Sequence, residues 1–185
     1  MAQLIGNKKI KTAVFISGTG TNLKNLIKFS KKKKSPISIN LIISNNLKSK
    51  GLRFAKTYKI EKKIFRFKKK ALDEKKLLKI LKNTETNLIC LAGFMKILSG
   101  NFIKSFKGKI LNIHPSLLPK YKGLNTHQRV LVNKEKYTGC TVHFVSSKLD
   151  TGKIIVQKRI KVKEDDTPKK IAKRVLVEEH KLYPK

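Results

Sequence analysis

Short apolar runs alternate with amphipathic stretches along the chain, and this alternation restricts the fold more than any other feature. Runs rich in Val, Ile, Leu and Phe are typical of strands that are buried on both sides of a sheet. They occupy residues 13–17, 37–43, 64–67, 88–92, 109–114, 140–145 and 154–160. Helices are predicted at residues 22–29, 50–58 and 71–82, and from Pro168, after a Thr167 cap, to about Leu182. The pattern predicts an α/β fold with a mainly parallel twisted sheet and helices on both faces.

The length of 185 residues and the apolar share of 39% both fit one domain with a single core. We expect residues 1–185 to form that domain, with residues 1–11 flexible. The first residues do not form an export signal, and no apolar run approaches the roughly 20 residues that cross a bilayer. Cys90 and Cys140 lie in apolar runs, so we expect buried free thiols and a cytoplasmic protein. The histidines lack the spacing of a metal site, so we expect no bound metal.

The formal net charge of +34 is typical of proteins that bind nucleic acid. However, only five of the 45 basic residues are arginine, which is the better residue for bidentate recognition of phosphates and bases. The lysines are spread along the chain, without the regular aromatic residues of a stacking platform. We therefore expect a solvated lysine coat and no specific nucleic-acid partner, although nonspecific binding of polyanions at low salt stays compatible with the charge.

The sequence SGTGTN, residues 17–22, follows the first predicted strand and precedes the first predicted helix. Its glycines allow a tight turn, and the unpaired N–H groups at a helix start bind anions. The loop is not a Walker motif, because no Gly-Lys-Ser/Thr follows, and it lacks the third glycine of a dinucleotide-binding fingerprint. Two interpretations stay open: a phosphate site, or a plain tight turn in which Asn22 caps the helix.

Asn112 and His114 come at the end of the predicted strand 109–114, and Pro115 and Pro119 stiffen the exit from it. Residues two apart in a strand share one face, so both side chains are predicted to point the same way. An amide N–H stabilises a developing oxyanion, and an imidazole donates or moves a proton. The spacing alone also fits a hydrogen-bonded core histidine.

Asp150 lies in a predicted turn close to Gly152, after the strand 140–145. An aspartate near a glycine is common in turns that have no further role. The alternative is a carboxylate that orients His114 and favours its charged form. Spacing in the sequence does not decide whether Asp150 lies beside His114.

Five segments occur in the order found in one enzyme family: AVFISGTGTNL, LICLAGFMKILS, ILNIHPSLLPKYKGLNTH, GCTVHFVSSKLDTG and RVLVEEH. With them the chain resembles the phosphoribosylglycinamide formyltransferases, folate-dependent enzymes of purine synthesis, over almost its whole length from about Ala13. The resemblance implies a Rossmann-like formyltransferase fold. It also implies transfer of a formyl group from 10-formyltetrahydrofolate to the glycine amine of glycinamide ribonucleotide, through a tetrahedral oxyanion, on the route to IMP.

The same resemblance implies roles for individual residues. Asn112 and His114 would stabilise the oxyanion, with His114 also moving protons, and Asp150 would orient His114 and keep it charged. The ribonucleotide would bind at Gly20, Thr21, Asn22, Leu23, Lys24 and Glu179. The folate would bind at Lys70, Met95, Lys96, Ile97, Leu98, Asn112, Ser146, Ser147, Lys148 and Leu149. The Leu118–Pro119 peptide bond would be cis, and the protein would act on small molecules as a monomer or homodimer.

The chain departs from the family pattern at a few positions. Thr19 and Thr21 stand where the family commonly has Asn or Arg and then Ser, and Thr21 keeps the hydroxyl. Lys70 stands where the family tends to place an arginine, so it keeps the charge but loses the planar fork. Asn125 replaces a histidine of the common GLHTH run. The carboxyl end is short relative to family chains.

Two sister families offer alternatives to this interpretation. The methionyl-tRNA formyltransferases share the Asn-x-His run and the aspartate, but they usually carry a further RNA-binding domain. The formyltetrahydrofolate deformylases carry an extra amino-terminal domain. We expect neither domain here, and the sequence therefore favours the glycinamide ribonucleotide branch.

Overall fold

The computed structural model describes residues 9–185 of the chain. Its strands are β1 (Ile10–Ile16), β2 (Ile37–Ser44), β3 (Glu61–Ile64), β4 (Leu88–Leu91), β5 (Lys109–His114), β6 (Tyr137–Phe144) and β7 (Ile154–Lys161). Its helices are α1 (Thr21–Ser30), α2 (Arg53–Tyr58), α3 (Lys70–Asn83), α4 (Gly100–Ser105), α5 (Thr126–Val132) and α6 (Pro168–Leu182). A 3₁₀ turn at Lys50–Leu52 leads directly into α2.

One sheet holds the seven strands in the order β3-β2-β1-β4-β5-β6-β7. Strands β1 to β5 are parallel, whereas β6 runs antiparallel to β5, and β7 runs antiparallel to β6. The chain moves outward in one direction from β1 to β3 and then restarts at β4 on the other side of β1. In sheets of this type, ligands bind in the crevice at the carboxyl ends of the strands where the order reverses. The predicted α/β class and the mainly parallel sheet are confirmed.

Alternating side chains of each central strand divide the core between the two faces of the sheet. Val14 and Ile16 pack with residues of α1, α2, α5 and α6 on what we call the first face. Ala13 and Phe15 pack with residues of α3 and α4 on the second face. Helices therefore cover both faces of the sheet. This explains why the strand segments are continuous apolar runs and do not alternate between apolar and polar residues.

The third strand lies earlier in the chain than predicted. It covers Glu61–Ile64 rather than residues 64–67, and it pairs in parallel with β2. Phe67 instead lies in a loop and packs on the second face, where its ring meets Phe94 edge to face at 5.6 Å between centroids. The aromatic residues of this segment therefore marked core positions and not the strand itself.

Two short helices were not predicted from the sequence. α4 has six residues and α5 has seven, and so few positions do not give a recognisable helical period. α4 nevertheless has a clear start, because the Ser99 hydroxyl accepts a hydrogen bond from the Phe102 N–H. α5 begins after Asn125, whose φ of 55° is left-handed.

The prediction that residues 1–11 are flexible lies only partly within the residues that the structure describes. β1 begins at Ile10, so Ile10 and Lys11 are strand residues rather than part of the flexible start that we expected for residues 1–11. Residues 1–8 lie outside the described part. None of the helices within residues 9–185 is both long and apolar enough to cross a membrane.

Other local predictions agree with the structure. α6 begins at Pro168, and the Thr167 hydroxyl accepts a hydrogen bond from a first-turn N–H. The Leu118–Pro119 peptide bond is cis, as the resemblance implied. Cys90 and Cys140 are free and buried in the core. Burial raises the pKa of each thiol to about 12.

Candidate active site

A cavity of about 720 Å³ opens at the carboxyl ends of β4 and β5, beside the start of α1. Its lining combines strand ends, loops and one helix. The lining residues are Asn22, Leu91, Gly93–Leu98, Asn112–Pro115, Gly123–His127, His143, Val145–Asp150 and Glu179. The cavity therefore lies where the reversal of strand order predicts a ligand site.

The structure brings most of the predicted site residues to this one cavity. Asn112, His114 and Asp150 line it, and so do Asn22 and Glu179 from the predicted ribonucleotide set. The lining also contains nearly the whole predicted folate set: Met95, Lys96, Ile97, Leu98, Ser146, Ser147, Lys148 and Leu149. Residues that are distant in the sequence thus meet at one edge of the sheet.

Five predicted residues are not part of the lining. Lys70 is the exposed first residue of α3. Gly20, Thr21 and Lys24 lie at the start of α1 behind Asn22, and the Leu23 side chain is fully buried in the core. Because its side chain packs inward, Leu23 can contribute to ligand binding only through its backbone.

The loop before α1 is shaped by close contact between two backbone segments. The Gly18 carbonyl accepts hydrogen bonds from the Gly51 N–H at 3.0 Å and the Ser49 hydroxyl at 2.7 Å. Gly20 has φ of 73°, and a Cβ added there would lie 2.7 Å from the Gly51 Cα. Only glycine fits this position, which fixes the approach of the chain to the first turn of α1.

Asp150 reaches back from its turn to both predicted strand-end residues. Its Oδ2 lies 3.5 Å from His114 Nδ1 and accepts the Gly123 N–H at 2.9 Å. Its Oδ1 lies 3.5 Å from Asn112 Nδ2. The side chains of His114 and Asp150 are each 7% exposed, so water screens this pair only weakly.

His114 faces an oxygen acceptor at each ring nitrogen. Nε2 lies 2.9 Å from the Tyr121 carbonyl, which can only accept a hydrogen bond, so Nε2 carries a proton. Nδ1 faces the Asp150 carboxylate at 3.5 Å. A neutral ring with its proton on Nε2 has only a lone pair at Nδ1, so the Asp150 carboxylate is placed to balance the charge of a ring that is protonated at both nitrogens.

The loop that presents the Tyr121 carbonyl to His114 is held at several points. The Tyr121 hydroxyl donates to Glu135 at 2.8 Å, and Arg129 lies over the Tyr121 ring at 5.2 Å. Arg129 also donates to the Lys122 carbonyl at 2.7 Å. These contacts fix the backbone on which both His114 and Asp150 depend.

Asn22 and Glu179 form a buried polar pair at the first-face side of the cavity. The Asn22 amide donates to Glu179 Oε2 at 2.6 Å. Burial raises the pKa of Glu179, and the hydrogen bond from Asn22 offsets part of that effect. Asn22 Oδ1 is buried and has no partner among the described residues, so it is free to accept a hydrogen bond from a ligand.

An apolar wall lies on the opposite side of the cavity. Met95 and Ile97 are 64% and 59% exposed, and Leu149 is also exposed, although large apolar side chains are usually buried. The Met95 N–H donates to the Ser17 hydroxyl at 2.7 Å, and Glu74 accepts the Ser99 N–H at 2.8 Å. The segment 95–98 is thus anchored at both ends, with Leu98 buried in the core and the Met95 and Ile97 side chains open to a ligand.

Several lining residues were not selected from the sequence. His143 is the most important of these, because its ring contacts both Asn112 and Asp150. The strand alternation of CTVHFV contained a signal, since it places Thr141 and His143 on one face, but the pairing of β6 with β5 was needed to use it. His127 also lines the cavity, and burial together with the nearby His114 lowers its pKa. Within residues 9–185 no cluster of His, Cys, Asp and Glu could hold a metal ion.

The sequence profile of the formyl transferase family matches residues 10–185. The chain belongs to the formyl transferase family. The phosphoribosylglycinamide formyltransferase of Haemophilus influenzae is 40% identical to it, and the match covers 94% of this chain and 84% of that protein. The crystal structure of phosphoribosylglycinamide formyltransferase from Brucella melitensis is 41% identical, with a TM-score of 0.90, and the match covers 96% of this chain and 93% of that chain. The formyl transferase fold implied by the resemblance is confirmed.

Longer proteins also contain a region similar to this formyl transferase chain. The trifunctional purine biosynthetic protein adenosine-3 of Gallus gallus is 45% identical over 183 residues. The chain spans 18% of the length of that protein and 14% of its Drosophila melanogaster counterpart. The likeness to these proteins therefore concerns one region of each of them.

Proposed function

We propose that this protein transfers the formyl group of 10-formyltetrahydrofolate to the glycine amine of glycinamide ribonucleotide, a step of purine synthesis. Membership of the formyl transferase family and the names of its similar bacterial relatives support the proposal. The observation that carries it is the convergence of Asn112, His114 and Asp150 at one cavity, with the carboxylate 3.5 Å from both partners.

The reaction requires charge stabilisation and a proton transfer. The amine nitrogen attacks the formyl carbon, and the carbonyl oxygen becomes an oxyanion on a tetrahedral carbon. The bond from that carbon to N10 of the folate then breaks, while the amine loses a proton and N10 gains one. An amide nitrogen leaves poorly without a proton, so a donor to the oxyanion and a proton donor are both needed.

Asn112 and His114 supply these two functions in our proposal. The Asn112 amide donates an N–H to the oxyanion, and the His114 imidazolium adds positive charge and a mobile proton. Asp150 holds the His114 ring between its own carboxylate and the Tyr121 carbonyl. Donors of this kind typically contribute about 3 kcal/mol each to transition-state stabilisation.

The two ends of the cavity suit two different substrates. The phosphate of the ribonucleotide would lie at the start of α1, where Gly20 to Leu23 offer backbone N–H groups and the positive end of the helix dipole, and where Lys24 adds a positive side chain. Asn22 and Glu179 would accept hydrogen bonds from the ribose hydroxyls. The folate rings would lie against the wall formed by residues 95–98 and 146–149. Lys70 lies outside the lining, so its contact with the folate stays a prediction.

The remaining properties in our proposal are a cytoplasmic location, a monomer or homodimer, no bound metal and no specific nucleic-acid partner. Scattered lysines and scarce arginines support the last of these. A salt titration tests it, since binding that rests on charge alone disappears near physiological salt. A preference for one nucleic-acid sequence that survives such salt would contradict it.

The function is tested by mixing the protein with 10-formyltetrahydrofolate and glycinamide ribonucleotide and following tetrahydrofolate by absorbance. We expect its release only when the ribonucleotide is present. Release without it would indicate a deformylase, and formylation of methionyl-tRNA in its place would indicate the other sister activity. Absence of release in every mixture would refute the proposal.

A further inference from the structure

His143 lies beside Asn112, and the sheet itself creates their contact. The two residues are direct partners in the antiparallel pairing of β5 with β6. Asn112 Nδ2 lies 3.1 Å from His143 Nε2. The His143 residue is only 2% exposed, so its ring cannot turn toward solvent without disturbing the core.

The hydrogen bonds of His143 determine which nitrogen carries its proton. Nδ1 lies 2.8 Å from the carbonyl oxygen of Phe144, which can only accept, so Nδ1 is the protonated nitrogen. In the neutral ring, Nε2 then has a free lone pair and is an acceptor. It is therefore the nitrogen of the Asn112 amide, not its oxygen, that must face His143.

We propose that His143 is a positioning residue that fixes the orientation of the Asn112 amide, so that an N–H and not the amide oxygen is presented to the formyl oxygen. The proposal rests on the function proposed above. The amide nitrogen has two hydrogens, and His143 holds one of them. Within residues 9–185 the second has only a 3.5 Å contact, to Asp150 Oδ1, and is available to a stronger acceptor.

The reverse orientation of the amide would oppose the reaction. If Nε2 of His143 donated, the Asn112 oxygen would turn toward it, and the amide would present the wrong arrangement of donor and acceptor to the cavity. Burial lowers the pKa of His143 and favours the neutral ring, and the positive His114 acts in the same direction. The Phe144 carbonyl and the Asp150 charge act the other way and partly offset this effect.

Two variants separate positioning from simple filling of space. His143→Leu removes the acceptor, and His143→Gln replaces it with an amide oxygen that can reach a similar place. We expect His143→Leu to lower kcat about 100-fold while KM for both substrates changes less than about twofold, because the lost contact acts in the transition state. We expect His143→Gln to recover at least about tenfold of that loss. Wild-type kcat in His143→Leu would overturn the proposal, and so would equal losses in both variants.

A double-mutant cycle tests whether His143 acts through Asn112. In an Asn112→Ala background, His143→Leu should cost less than about threefold more, because there is no amide left to orient. A full additional 100-fold loss would show an independent role and overturn the proposal. Circular dichroism and thermal unfolding of each variant identify any that do not fold.

The protonation of His143 can be read without any assay of activity. Nitrogen-15 NMR of the labelled wild-type protein should show a protonated Nδ1 and an unprotonated Nε2 for this ring at neutral pH. A protonated Nε2 would overturn the proposal even if the enzyme is active. Conversely, a wild-type protein that transfers no formyl group but shows the expected tautomer would refute the proposed function and leave the geometry of His143 in place.

Discussion

Replacing Asp150 with asparagine tests the central arrangement of the proposed site. The substitution keeps the shape of the side chain and removes its charge. The oxygen of the new amide can still accept the Gly123 N–H, which Asp150 accepts at 2.9 Å. Its nitrogen then takes the place of Oδ1, where it meets Asn112 Nδ2, so two donors face each other across about 3.5 Å.

The size of the effect follows from the distance between the charges. A unit pair at the 3.5 Å that separates Asp150 Oδ2 from His114 Nδ1 interacts by about 5 kcal/mol at an effective dielectric constant of 20, which is an upper limit. A net contribution of about 1.5–3 kcal/mol is typical where a hydrogen bond involves a charged group. We therefore expect Asp150→Asn to lower kcat by about one to two orders of magnitude, because about 1.4 kcal/mol corresponds to a factor of ten.

The assay is the release of tetrahydrofolate in the presence of both substrates. KM for the ribonucleotide should change little, since Asp150 contacts none of the residues assigned to that substrate. Asp165→Asn is a matched control, because that carboxylate is 71% exposed and pairs with a surface lysine, Lys170. A kcat for Asp150→Asn within about threefold of the wild-type value would refute the role of the carboxylate.

Three further predictions concern the fold around the site. Gly20→Ala should destabilise the protein by about 2–4 kcal/mol in chemical denaturation, because the residue has φ of 73° and its new Cβ would lie 2.7 Å from a backbone atom. Gly18→Ala is the control and should cost much less, because no atom lies within 4 Å of the added Cβ. Burial holds the pKa of Glu179 above its ordinary value of 4.5, so the folded state binds that proton more tightly than the unfolded state. The wild type therefore loses stability as pH rises above 4.5, and the stability of Glu179→Gln relative to the wild type should increase over the same change in pH. A difference that does not change with pH would contradict the raised pKa. Cys90 and Cys140, with pKa values of about 12, should resist a thiol reagent at about pH 8 in the native protein and react after unfolding, and rapid labelling of the folded protein would contradict their burial.

The strand end at Asn112 and His114 could be predicted because it depends only on local periodicity. Side chains two apart in a strand share a face whatever the neighbouring strands are, and both residues line the cavity. The same local reasoning placed α6, where Thr167 and Pro168 give chemical start signals. It failed at Phe67, since a buried aromatic residue in a loop has the same composition as one in a strand.

Other parts of the site depend on strand order, which local periodicity does not contain. His143 is a neighbour of Asn112 because β6 pairs with β5 in antiparallel register, and this pairing cannot be inferred from the sequence of either strand. Asp150 likewise reaches His114 because the chain folds back from β6 across the strand ends, in a turn where Asp150 has a left-handed φ of 49°. The resemblance to known enzymes supplied Asp150, but it gave no reason to select His143.

The topology also explains how one cavity serves two unlike ligands in the proposed reaction. Asn22 and Glu179 come from α1 and α6, which pack on the first face, so the polar end of the cavity belongs to that side. Leu98 and Val145 belong to the second-face core, so the apolar wall that they adjoin belongs to the other side. β5 lies between the two sides and ends at His114, which is where a group must pass from one ligand to the other. In the proposed reaction, a formyl carbon held there would have a donor amide and an imidazolium beside it, and neither substrate would have to cross the sheet.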